Sequence, residues 1–191
     1  MRIDKKLNLV IPVERDDGTT AYVHAIPVSA EVFDKFFLEI SRTFAGIIAT
    51  GLGEIAGPRV AAKVLRKTSQ DLGTWREVES GLVADMRRTS SVLVPKGTGG
   101  WDFITLQEAL DRDLFSAEDV SEVENAITFF TVYSAIQRRR DLAETLDGLA
   151  GLWGAQITSL NFSEYASSLR MSTKVDATGT GMDQKQSLIP S

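Results

Sequence analysis

The chain has 191 residues, of which 43% are hydrophobic and 25% charged, proportions of an ordinary globular domain that exclude wholesale disorder. Its formal charge of −5 disfavours nucleic acid as a partner, because phosphate backbones are held by clustered Lys and Arg. The absence of Cys removes disulfides, thiolate metal ligands and thiol nucleophiles together.

Leu7 to Val13 and Thr19 to Val28 are rich in β-branched and apolar residues, and Glu14 to Gly18 between them ends in the Asp-Gly pair of a tight turn. This pattern predicts a β-hairpin. Pro12 and Pro27 lie toward its outer ends, where a missing donor is tolerated, which argues for a small hairpin with free edges. Ser29 then stands where an N-cap belongs, with Glu31 in the first turn, and opens a helix that holds four of the nine phenylalanines between Val32 and Ile48. With Phe33 at zero and about 100° per residue, Phe36, Phe37, Ile40, Phe44, Ile47 and Ile48 fall within an arc of about 120°. That aromatic stripe is either core or a surface that binds apolar partners. The two readings coexist if only part of it is covered in the monomer.

Gly51, Gly53 and Gly57-Pro58 end this helix, and Arg59 to Leu72 resumes a helical pattern through Val60, Ala61, Val64 and Leu65 that closes at Gly73. Trp75 to Val94 is predicted as a further helix, with Val78, Leu82, Met86 and Leu93 on one side and Pro95 as its stop. Lys96 to Gly100 reads as a flexible loop. Thr105 with Glu108 makes a capping box, and Ser116 with Asp119 opens a helix carrying Val120, Val123, Ile127, Phe130 and Ile136, with Arg138 to Arg140 at its end. Asp141 to Leu160 is predicted to continue in helix, weakened by Gly148, Gly151 and Gly154, and Asn161 or Ser163 caps a last short one. From Met171 the residues are too polar to offset chain entropy, which predicts a disordered tail.

The predicted fold is therefore mainly α. A small N-terminal β-hairpin over 1–28 packs as one unit with a helical domain over 29–170, and a disordered C-terminal tail or linker covers 171–191.

Sites of chemistry are sparse. Gly51-Leu-Gly-Glu-Ile-Ala56 fits a loose dinucleotide pattern, but that fingerprint leaves a strand and opens a helix, whereas here an aromatic helix precedes it and Pro58 follows. His24 is the single histidine and sits in a predicted strand with no nucleophile elbow to serve. Asp16-Asp17 and Asp111 with Asp113 lack the ordered spacing of a calcium loop. No catalytic residue, cofactor or metal is expected. Trp101 follows a glycine loop, where an exposed indole would serve as an interface anchor, while Trp153 with Leu149 and Leu152 reads as core. Arg59, Lys63, Arg66 and Lys67 lie at helical spacing and read as a solvated basic face. The N-terminal run is charged, and no window approaches the ~18 uncharged apolar residues of a membrane span. A soluble cytoplasmic protein with no membrane partner is expected.

The order of segments carries a resemblance. The run Met1 to Ser29, then VFDKFFLEISRTFAGI (32–47), GLGEIAGPRVAAKVL (51–65), EVENAITFFTVYSAIQRR (122–139) and LWGAQITSLNFSEYASSLRMST (152–173) ahead of a polar tail resembles the tail assembly chaperones of long-tailed bacteriophages. What the resemblance implies is a non-enzymatic protein of the host cytoplasm, absent from the finished virion. Such a protein binds the long, helical tape measure protein and keeps it soluble while tail tube subunits polymerise around it. It further implies contact with tail tube protein through a frameshifted extension, for which the tail would be the linker. The partner-binding residues expected are Phe33, Phe36, Phe37, Ile40, Phe44, Trp101, Phe129, Phe130 and Tyr133, with self-association through whatever apolar face is left open. The alternative is a tail completion or connector protein retained in the virion.

Overall fold

The computed structural model describes residues 7–49, 56–97, 99–136 and 154–169. Strands β1 (Asn8–Glu14) and β2 (Thr20–Ala25) form the expected hairpin, antiparallel from Leu9↔Ala25 to Glu14↔Thr20. Gly18, at φ +74°, takes the left-handed position of the turn, and Asp17 accepts from the Thr19 N–H at 2.9 Å.

The mainly helical fold expected from the sequence is corrected here. The hairpin is the centre of a five-stranded antiparallel sheet, ordered β4-β3-β2-β1-β5, and the protein is a mixed α/β fold. The added strands are β3 (Ser91–Pro95), β4 (Trp101–Thr105) and β5 (Gln156–Thr158). The reason for the difference lies in pairing at a distance. Leu93 falls seven residues after Met86, in phase with the preceding helix, yet the chain turns extended at Ser90 (φ −81°, ψ 140°), and Tyr22 and Val23 supply pairing partners for Leu93 and Val92. Strand β5 has only three residues, too few for a local pattern to announce. Nor are the hairpin edges free. β5 pairs with β1 over Asn8 to Val10 and stops short of Pro12, so the proline's missing N–H breaks no ladder.

Between the strands run α1 (Ala30–Lys35), α2 (Phe37–Ala49), α3 (Gly57–Asp71), α4 (Trp75–Val78), a π-helical segment (Glu79–Val83) and α5 (Ala84–Thr89). After β4 come α6 (Leu106–Asp111) and α7 (Ala117–Ile136), and the described chain closes with α8 (Phe162–Ser168). Strand alternation divides the sheet. Leu9, Ile11, Val13, Ala21, Val23, Ala25 and Val92 face the helical layer. Helix α7 is the spine of that layer, buried without interruption from Asn125 to Tyr133. Two glycines allow close approach. A Cβ at Gly57 would stand 2.8 Å from Ile47 and 2.9 Å from Phe129, and one at Gly81 in the π-helical segment would overlap the Phe36 ring. On the opposite face Val10, Tyr22, Leu93 and Trp101 are covered by α8 through Phe162, Tyr165 and Ala166.

Candidate functional site: the apolar face of α1 and α2

Ser29 caps α1, its Oγ accepting from the Val32 N–H at 3.3 Å. The aromatic helix is broken once, at Phe36 (φ −111°, ψ 24°), although Ile40 N–H still reaches the Phe36 carbonyl at 3.0 Å, so the stripe keeps nearly its helical phase. The boundary of the core runs along the stripe. Phe36, Ile40 and Ile47, on one side of its arc, are buried, and Phe33 and Phe44, near its middle, are half-buried. Phe37 and Ile48, on the other side, are 54% and 49% exposed. Leu38, further round the helix, is 49% exposed, and Ala45 and Ala49 on that side also face solvent. Phe37 meets Phe33 edge to face at 5.6 Å, and Phe44 meets Tyr133 at 5.1 Å. Helix α2 therefore packs one apolar side inward and shows another to water, which a monomeric surface helix rarely does.

Phe129, Phe130 and Tyr133 are buried in the core, Phe129 stacked on Tyr133 at 4.1 Å. Trp101 is half-buried and meets Tyr22 edge-on at 5.5 Å. The expected residues do not form one surface: Phe33, Phe37 and Phe44 share the α1–α2 side, with Phe36 and Ile40 beneath them. Leu38 is the residue sequence reasoning missed. It lies about 140° from Phe33 and so falls outside the stripe, and only its exposure brings it into the patch.

Of the other groups, His24 is buried at 3% exposure in β2, 5.5 Å from Phe162. Burial lowers its pKa below the usual histidine value, against hydrogen bonds with the Leu160 and His24 backbone that favour the charged form. Asp17 is held below the usual carboxylate range, chiefly by the Thr19 hydroxyl. Among the described residues no three His, Asp or Glu converge as metal ligands, and no helix is long and apolar enough to cross a membrane. The Gly51–Gly53 pattern, Arg138 to Arg140, Gly148, Trp153 and the segment 171–191 lie outside the described residues.

Fold and site together define a class: a mixed α/β protein with an antiparallel sheet covered on both faces and, among the described residues, an uncovered apolar helix face of aromatic and aliphatic residues. No family model, curated protein or solved structure matches the chain.

Proposed function

We propose that the protein is a non-enzymatic tail assembly chaperone of a long-tailed bacteriophage that binds the tape measure protein and keeps it soluble during tail tube assembly in the host cytoplasm. The observation that carries the reading is the outward apolar side of α1 and α2, where Phe37, Leu38 and Ile48 are each about half exposed. A long helical client presents apolar residues at i, i+3, i+4 and i+7, and a helix face of rings and branched aliphatics receives such a row by exchanging two wet apolar surfaces for one dry contact. The acidic remainder of the surface keeps the complex soluble. The resemblance in segment order supplies the identity of the client. A frameshifted extension beyond this chain would recruit tail tube protein.

Co-expression with the tape-measure candidate encoded downstream tests the reading. The expected result is a soluble client that co-purifies with the wild-type chain and is lost with Phe37→Ser/Leu38→Ser/Ile48→Ser, while the helical circular dichroism of the variant is unchanged. A client that stays insoluble beside the folded wild-type chain overturns it, as does recovery of the protein from purified virions, which would place it among retained tail components.

A further inference from the structure

The α1–α2 face leaves unused a cleft of about 360 Å³ enclosed by α3, α7 and the wall that α4, the π-helical segment and α5 build together. Its floor is apolar, from Leu65, Val83, Met86 and Ile127. The walls are tied in place by their own side chains. Asn125 Oδ1 accepts from the Ala62 N–H at 2.9 Å and its Nδ2 donates to the Ser121 carbonyl at 2.8 Å, which fixes α7 against α3. The Arg87 guanidinium donates from Nε to Glu124 Oε1 at 2.9 Å, joining α5 to α7. A preformed cleft of this volume suits one or two anchoring side chains. The π-helical turn that contributes Glu79 and Val83 is an irregularity frequent at functional sites.

The charge around the cleft opposes that of the chain. Arg59, Lys63 and Arg66 are exposed and follow at i, i+4 and i+7 on one side of α3, and Lys63 and Arg66 line the cleft. Lys67 next to them is paired with Asp71, and Arg66 lies over the Trp75 ring at 5.3 Å from its centre. Arg59 and Lys63 have no carboxylate in ion-pair reach among the described residues. In a protein of net charge −5 this is a local excess of cation beside an apolar floor.

We infer that the cleft binds an amphipathic helix of a partner protein with carboxylates along one edge and an apolar anchor at its centre. The anchor enters over Val83 and Met86, and the carboxylates, spaced a turn apart, lie against the α3 rim. The rim spans about 10 Å from Arg59 to Arg66, which matches two turns of the incoming helix. Nucleic acid is the poorer fit, because Glu79 and Glu124 on the other walls would face its phosphates. A helix acidic on one edge alone avoids them. This site is separate from the α1–α2 face and does not depend on the identity of the client bound there.

The test uses the full chain and two labelled synthetic helical peptides of about four turns. Both carry a central Leu anchor, with Glu at i, i+4 and i+7 on one edge in the first and Lys at those positions in the second. Saturable binding of the Glu peptide alone is expected, weakened about tenfold or more by Lys63→Glu and by raising salt from about 50 to about 500 mM. Ser121→Trp, which fills the mouth of the cleft and leaves the Ser121 carbonyl bond in place, removes it. Both substituted positions are exposed, and unchanged thermal melting shows that each variant is folded. Equal binding of the two peptides, no binding at about 1 mM, indifference to Lys63→Glu, or displacement by a single-stranded oligonucleotide overturns the inference.

Discussion

On its inner face the sheet sets Leu9, Ile11, Val23 and Val92 into one apolar core with the helical layer, where α7 packs on β1, whereas on its outer face one seven-residue helix, α8, covers Val10, Tyr22, Leu93 and Trp101. The inner contact is wide and almost wholly apolar, and the helical layer behind it is interlocked where Phe36 meets Gly81 and where Ile47 and Phe129 meet Gly57. The outer contact is built from rings with polar atoms. Tyr22 meets Trp101 at 5.5 Å and Tyr165 at 6.0 Å, and Tyr165 Oη accepts from Gln156 at 2.8 Å. His24 Nε2 and Trp101 Nε1 are buried there without a hydrogen-bond partner among the described residues. The same strands thus carry two unlike cores, one of close aliphatic and aromatic packing and the other of rings with polar atoms, the buried His24 imidazole among them.

The comparison can be broken most severely from the inner side. Phe129→Ala removes a fully buried ring and is expected to cost about 3–5 kcal/mol, measured as a loss of unfolding free energy in urea. Gly81→Ala forces a Cβ into the Phe36 ring and is expected to cost about 1–3 kcal/mol in the same assay, with partial rescue by Phe36→Leu.

On the outer side the expected effect depends on pH. Because the folded-state pKa of His24 lies below its ordinary value of 6.5, the stabilisation tied to its neutral form is fully present above about pH 6.5. It is lost as pH falls toward the folded-state value, by at most about 1.4 kcal/mol per pH unit. Unfolding curves between pH 7 and 5 should show this loss in the wild type, and His24→Gln should flatten it. The smallest effect on stability is expected at the surface of α2. Phe37→Ser and Leu38→Ser should stay within about 0.5 kcal/mol of wild type while removing the client in co-purification. A larger destabilisation would assign that side of α2 to the core.

Helix starts were legible from sequence because a cap is a local hydrogen bond. Ser29 accepts from Val32, Thr105 from Glu108 at 3.1 Å and Asn161 from Glu164 at 3.0 Å, each within three residues. The Ser116–Asp119 pair that opens α7 is equally local. Three of the five strands were not legible. Trp101 to Thr105 offers Trp, Phe and Ile in a strand of five residues, and its pairing with Ser91 to Pro95 depends on a second segment that was itself read as helix. The candidate site was half legible. Periodicity located the stripe on α1 and α2, but which part of it faces water depends on where α3 and α7 pack.

The sequence by itself determined the elements whose causes lie within a few residues: the hairpin with its Asp-Gly turn, the helix caps, and the concentration of Phe between 33 and 44. Only the tertiary structure decided that the hairpin becomes the middle of a sheet, that α8 closes its outer face, and that Phe36 is buried while its neighbour Phe37 is exposed. The physical reason is range. Capping and turn geometry are settled by neighbours along the chain, whereas strand pairing and burial are settled by surfaces that meet only after the chain has folded.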